Sequence, residues 1–599
     1  MPVNRHVMKR HFWLHLAFLM LALRFAPLAL AQDTVEPADL VIRNAKIITV
    51  DSQFTLARAL AVRGSRVVAV GNDKSITRWI GPRTRVIDAG GKVVLPGLHD
   101  SHVHAFLAAT SELDGPMFVP KSISEAQSYL REQAARKPPG SWILIERAFP
   151  TRLADGRLPT KAELDAAAPD NPVHYSAGPV SVANSRALEV SKITRDTPDP
   201  LPGQIVKDPR TGEPTGLLRG AAGLLKIAVS ARPPAPEVKR RAVKHMYHLF
   251  NEQGITSIGE RMTEPEDIDF MRELSRAGEL TVRINCTRVT SAGKTLAESI
   301  QRLEELATAP AGHEPYGPTG VGDDWVRIGP LKVFLDGGML IGSAYMREPW
   351  GVGPTYQITD PDYRGILNQD PEQLRGLYLE AARRGWQVTA HCAGEAAMDV
   401  LLDCYEHVQQ HLDIRQRRFL MTHANFSSAQ NLERCFKLGV GADLQPVWLY
   451  KDGASLLHTL GERRMHWFLP LKSWLDAGVT VGGGSDHMAK LDSLESVNPW
   501  NPWLGLWTAL TRQTERGGVH NPSERLSREQ AIRFYTLNNA WLHFNERKTG
   551  SLETGKYADL ILVDRDPLTC PVEDIRQTKV LLTMVGGKIV WDASAKYPD

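Results

Sequence analysis

Along most of the chain, short runs of apolar and β-branched residues alternate with stretches whose apolar residues recur at helical spacing. The short runs fall at Val93–His104, Gly254–Gly259, Thr281–Cys286, Val326–Gly337, Gln387–His391, Phe419–His423, Val440–Gln445 and Val479–Asp486. Helical patterns occupy Glu372–Arg384, Ala396–His411, Ser428–Lys437, Met465–Asp476, Leu504–Thr514 and Ser527–Thr536, and Leu296, Ile300, Leu303 and Leu306 form a packing stripe before the fourth run. Strand alternating with helix implies a parallel sheet, and eight such strands imply a closed (β/α)8 TIM barrel of the α/β class. The barrel is expected over residues 96–545.

Two further sets of short strands flank it. Leu40–Ile42, Lys46–Val50, Ala59–Val62, Val67–Gly71 and Arg85–Asp88 come before, and Asp559–Val563, Val580–Val585 and Lys588–Trp591 come after. Neither set makes a core alone. Joined, residues 38–95 and 546–595 predict one small β-sandwich built from both chain ends, with a supporting role.

Between the first two barrel strands the rhythm breaks. A gap of roughly 150 residues is far beyond a normal βα connection, so residues 106–252 are expected to form an inserted subdomain. Trp142–Ile145 and Pro172–Tyr175 read as strands, Thr160 as a helix cap answered by Glu163, and Gly212–Gly216 as a turn.

Composition changes this picture little. Hydrophobic residues at 42% and charged residues at 23% of 599 fit an ordinary globular protein, and a net charge of +3 offers no basic field to nucleic acid. The five cysteines (Cys286, Cys392, Cys404, Cys435, Cys570) are scattered with no Cys-x-x-Cys, which excludes a thiolate zinc site. At the N-terminus Arg5, Lys9 and Arg10 head an apolar stretch, Phe12–Leu23, that ends at the small residues Ala29-Leu30-Ala31. It is shorter than the ~20 residues of a membrane span. Residues 1–31 therefore read as a signal peptide, implying export to the periplasm and no membrane attachment after cleavage. Lys9-Arg10-His11-Phe12 resembles a twin-arginine signal with Lys in the first position, so both export routes stay open.

The chemistry gathers at strand ends. His102 and His104 are one residue apart, so strand alternation sends both to one side, where two imidazoles can grip one metal ion. Lys332, His391, His423 and Asp486 each end a later apolar run. Alone, His-x-His also suits a pair of loop histidines, and Lys332 could be a strand-end charge paired with Asp336 or Glu260. Gly482-Gly483-Gly484 follows no nucleotide fingerprint and suggests close backbone packing instead.

The order His-x-His, Lys, His, His, Asp resembles the amidohydrolase superfamily. The phrases Leu95-Pro96-Gly97-Leu98-His99-Asp100-Ser101-His102-Val103-His104, Lys332-Val333-Phe334-Leu335-Asp336-Gly337, His391-Cys392-Ala393-Gly394-Glu395 and Gly550–Leu560 are similar to its YtcJ-like amidohydrolase 3 branch, which includes N-substituted formamide deformylases. The likeness runs from about Asp39 to Asp592. It implies two divalent ions, zinc by default, although manganese, iron or cobalt suit the same donors. His102, His104 and Asp486 would hold one, His391 and His423 the other, and a carboxylated Lys332 would bridge them. Asp486 would also act as general base and acid. The implied activity is hydrolysis of a non-peptide C–N bond in a small-molecule amide, N-substituted formamide or cyclic amide, with a homodimer as the family's assembly. Ester or carbamate hydrolysis at the same centre is the alternative enzyme reading. A non-catalytic periplasmic metal- or ligand-binding protein is the third, which the presence of both Lys332 and Asp486 argues against. The branch also carries an inserted subdomain over the barrel mouth, where a histidine commonly precedes a Val-Asn-Ser segment. This chain has Gly178-Pro179-Val180-Ser181-Val182-Ala183-Asn184-Ser185 there. Tyr345, Arg347, Gln445 and Trp448 are the expected substrate contacts, with Glu146 and Arg147 as further candidates.

Overall fold

The computed structural model describes residues 35–200, 203–228 and 234–595. The signal-peptide reading of 1–31 lies outside the described residues. Eight parallel strands form the central sheet in chain order: β1 (Leu98–Val103), β2 (Ile255–Glu260), β3 (Arg283–Val289), β4 (Val326–Phe334), β5 (Val388–Cys392), β6 (Leu420–His423), β7 (Gly441–Leu444) and β8 (Val481–Gly483). The ring closes where Val103 pairs with His487 and the Asp486 amide donates to the His102 carbonyl at 2.7 Å. Helices cover the outside, so both strand faces are dry and the strands read as near-continuous apolar runs. In β1, β6 and β7 every residue is buried.

Most of the outer helices fall where apolar spacing puts them: Pro371–Arg383, Glu395–His411, Ala429–Leu438, Pro502–Thr511 and Arg528–Phe534. Two differ. The expected helix Met465–Asp476 is split, because Pro470 has no N–H to continue it. Met465 ends a helical stretch, Pro446–Met465, that kinks at Gly461 (φ +75), and a short helix, Leu471–Asp476, follows. Of the Leu296, Ile300, Leu303 and Leu306 stripe, only Leu303 is fully buried, while Leu296 is exposed.

Strands from both ends of the chain share one six-stranded sheet. Val93–Pro96 lies at its centre, antiparallel to Leu560–Val563 and parallel to Lys46–Ile48. A four-stranded sheet of Leu40–Arg43, Ala59–Arg63, Arg66–Gly71 and Arg85–Asp88 packs with it around Leu40, Ile42, Leu60, Val62, Val94, Leu560 and Met584. Burying each such side chain stabilises the fold by roughly 1.5–3 kcal/mol. Val93–Pro96 runs straight into β1 through Gly97, where a β-carbon would lie 2.2 Å from the Thr256 hydroxyl. Only glycine fits that close approach. The buried pair Arg283–Asp559, at 2.7 Å, fastens β3 to the C-terminal strands.

Between β1 and β2 the chain builds a second sheet in the order Gln204–Lys207, Pro214–Arg219, Val180–Ala183, Val173–Ser176, Ile143–Ile145. The helix Lys161–Ala167 packs beside it and starts with the capping box of Thr160 and Glu163. The last part of the expected insertion behaves differently: Pro236–Glu252 is a helix packed along β2, in the barrel's outer layer. No helix among the described residues is long and apolar enough to cross a membrane.

Candidate metal centre

At the C-terminal ends of the barrel strands, three side chains converge on one point. Nε2 of His102, from β1, and Nε2 of His104, just past it, each lie 3.2 Å from Oδ1 of Asp486. Asp486 follows β8 with its backbone at φ +55. The ligand atoms of all three lie within 4.8 Å of one another. Gly484, two residues earlier, makes the approach possible, since a β-carbon there would come within 2.8 Å of the His102 amide nitrogen.

The rings continue as a chain of contacts from His102 to His423 and on to His391, at centroid separations of 4.7 and 4.6 Å. His391, near the end of β5, sets Nε2 3.2 Å from the Gly337 carbonyl. His423 ends β6 at φ +76, a left-handed conformation that costs a non-glycine residue about 1–3 kcal/mol and persists only where its surroundings enforce it. Lys332, near the end of β4, is 1% exposed. Among the described residues its side chain makes no hydrogen bond or ion pair, and its Nζ lies 5.0 Å from the Phe334 ring centroid. Neither alternative partner reaches it. Asp336 accepts from the amides of Tyr345, Ala393 and Gly394, and Glu260 accepts from the amide of Ala105.

The electrostatics suit a cation. Burial pulls His104 and His391 down to about 4 and holds His423 well below its usual value, leaving neutral rings with free lone pairs. Burial would raise Asp486, but the neighbouring His102 and the close approach of the His102 and His104 rings outweigh it, holding the carboxyl well below its usual range. Burial brings the Lys332 ammonium down to about 8. The His102 Nε2 atom is buried without a hydrogen-bond partner, an expensive state unless something else ligates it. The residues fit a divalent ion of the kind bound by mixed imidazole and carboxylate donors.

A supporting layer fixes these donors, and sequence reasoning passed over most of it. His102 Nδ1 lies 2.9 Å from Asp443 Oδ2, whose other neighbour is the Arg261 guanidinium at 3.1 Å. Both acid and arginine are fully buried, and Arg261 and His102 together hold Asp443 ionised against its burial. The signal was visible: Asp443 is a carboxylate inside the apolar run Val440–Gln445. Asn498 donates to the Asp486 carbonyl at 2.7 Å.

The predicted substrate contacts need correction. Gln445 is fully buried, is absent from the cavity lining, and its Oε1 sits 2.8 Å from His423 Nδ1, so it orients that ring instead of meeting substrate. Arg347 is bound to Asp399 at 2.6 and 2.7 Å, on the helix Glu395–His411, and like Tyr345 is absent from the cavity lining, which the chain leaves after Ile341. Glu146 is exposed and also outside the lining. Trp448 does line it, stacked on His423 at 4.9 Å.

The cavity above the centre has a volume of about 480 Å³. His104, Lys332, His391, His423 and Asp486 form its floor, and Phe334, Met339, Leu340 and Trp448 much of its wall. The insertion supplies the roof through Arg147, Phe149, Gly178, Pro179 and Gly220. Arg152 anchors that roof to the barrel helix Pro446–Met465 by two bonds to Asp452, at 2.8 and 2.9 Å.

Such a barrel, with nitrogen donors and a carboxylate meeting under a roofed cavity, defines a metal-dependent hydrolase class. The chain belongs to the amidohydrolase family, whose model matches residues 85–591. It is 29% identical over 566 residues to N-substituted formamide deformylase of Arthrobacter pascens, covering 92% of this chain and 98% of that one. It is 27% identical over 527 residues to YtcJ of Bacillus subtilis, covering 86% and 92%. An uncharacterized metal-dependent hydrolase from Pyrococcus horikoshii shares the fold with a TM-score of 0.62 at 22% identity, over 89% of this chain and 99% of that one.

Proposed function

We propose that the protein hydrolyses a non-peptide C–N bond in a small-molecule amide, with N-substituted formamides as the first class to test. The observation that carries this is the gathering of His104, Lys332, His391, His423 and Asp486 at the floor of one roofed cavity, with the fully buried His102 directly against Asp486 and His423. His102, His104 and Asp486 would hold one divalent ion and His391 and His423 a second, zinc being the default. Bound there, such ions polarise the substrate carbonyl and make water available as a nucleophile near neutral pH.

The chain's own residues do the rest. Asp486 takes the proton from the attacking water and delivers it to the leaving nitrogen as the C–N bond breaks, so one carboxyl serves as base and then acid. Asp443 holds the His102 ring in the orientation that presents Nε2. Lys332, brought down to about 8 by burial, exposes more free amine near neutrality than an ordinary lysine does. That amine adds to carbon dioxide, forming an N–C bond and releasing one proton. The resulting carbamate would present two oxygens sharing one negative charge, a donor for cations where an ammonium would repel them. Trp448 and the insertion keep bulk water from the reacting groups.

The formamide deformylase relative favours a formyl or similarly small acyl group, and the apolar wall favours an apolar amine portion. The same reading has the protein exported to the periplasm, acting as a homodimer on a small molecule without nucleic-acid or membrane partners. The test is incubation of zinc- or manganese-loaded protein with N-benzylformamide and matched N-acetyl and ester compounds. Equal release of formate and amine is expected, and D486N should lose at least about a thousandfold in kcat while keeping its fold and most metal. Hydrolysis of esters alone, or residual amide turnover by zinc-loaded D486N, would contradict the assignment.

A further inference from the structure

The roof of the cavity holds one charged side chain that the hydrolytic chemistry does not use. Arg147 lines the cavity and makes no ion pair among the described residues. Its one hydrogen bond runs from Nη1 to the thioether of Met488 at 2.6 Å, a weak acceptor. Its neighbours are spoken for: Arg152, five residues on, is fully engaged by Asp452 and Asn498, and Arg347 by Asp399. The other cation of the lining is Lys332, and the acids of the lining are Asp486 and the fully hydrogen-bonded Asp336. Arg147 also stands at φ +58, a left-handed conformation that a residue bearing a β-carbon avoids unless its placement is enforced. The enforcing contacts are at hand in the Ile143–Ile145 strand before it and the Arg152 anchor after it.

Around this guanidinium the wall is apolar, with Leu107, Phe149, Met262, Phe334, Leu340 and Trp448. A guanidinium with free N–H groups in such a setting matches a planar anion carried by an apolar body, since its fork pairs with both oxygens of a carboxylate. We propose that Arg147 is a specificity-determining residue that binds a carboxylate on the substrate. The preferred substrates are then amides whose amine portion is an apolar amino acid: N-formyl or N-acyl amino acids instead of neutral formamides. This rests on the amide-hydrolase reading above and narrows it.

The test pairs N-formylphenylalanine with N-formylphenylalaninamide and N-(2-phenylethyl)formamide, which keep the formamide and the ring but lack the anion. Metal-loaded wild-type protein should favour the acid by roughly tenfold or more in kcat/KM. R147M should lose that preference and leave the two neutral substrates within about threefold of wild type. R147G, whose residue suits φ +58, guards against a folding defect and should behave alike. In calorimetry, 3-phenylpropanoate should bind R147M roughly tenfold more weakly than wild type, while 3-phenylpropanamide binds both equally. Cleavage of all three formamides without preference, or a preference that survives in both variants, overturns the role of Arg147 and leaves the hydrolase reading standing. Unchanged affinity of R147M for 3-phenylpropanoate would put the carboxylate at the metal ligands and overturn it as well. Cleavage of none of the three would remove the amide reading and this inference with it.

Discussion

At the scale of single residues, the centre depends on groups that never touch substrate. Asp443 compensates the buried Arg261 charge and orients His102 at once. D443N keeps the volume and removes the charge, and orienting partners of this kind are worth about 10- to 100-fold in metal affinity. Competition with a chelating dye is expected to show that loss with secondary structure unchanged. An affinity equal to wild type would mean that His102 is positioned by the barrel alone. A second residue-scale expectation concerns His174, in the insertion sheet, which burial lowers to about 4. The unfolded chain takes up its proton as pH falls through about 6.5, whereas the folded chain resists until about 4. Stability is therefore present above that window and is lost as pH falls through it, at about 1.4 kcal/mol per unit. Urea unfolding at pH 7 and pH 5 should show H174Q losing about 2 kcal/mol less than wild type, and equal losses would exclude His174 as a source.

At the scale of elements, the roof is held by one strong clamp. Arg152 is largely buried and meets Asp452, Asn498 and the Val497 carbonyl. Removing one partner of such a pair leaves a buried charge and costs roughly 3–5 kcal/mol. R152A should lower the unfolding midpoint and raise KM by displacing Arg147 and Phe149, while metal content stays the same. A normal KM would separate the clamp from the roof. The barrel strands and most outer helices were legible in the sequence because strand period and helix period differ and each apolar run is long enough to show its own. The helix Pro446–Met465 was not, although Pro446 at its first turn and Val447, Leu449, Leu456 and Leu460 on its buried side are its signals. The strand-end positions of the candidate ligands were legible for the same reason as the strands, each residue ending an apolar run. The contacts around them were harder to read: Asp443 and Gln445 stand out as polar residues in an apolar run, but the run does not say which side chains on other strands they meet.

At the scale of the whole molecule, residues almost four hundred positions apart meet because the barrel closes through Val103 and His487. Both chain ends then pack into one pair of sheets beneath it, fixed by Arg283 and Asp559. Closure is what sets His102 and His104 against Asp486, and the metal content of the purified chain reports most directly on the proposed six-residue centre. Plasma mass spectrometry of protein prepared in zinc-supplemented medium should find about two divalent ions per chain in the wild type. The same measurement on K332A, freed of loosely held metal by brief chelator dialysis, should find one or fewer. Wild-type protein without stoichiometric metal, or K332A retaining the full complement, would contradict the account.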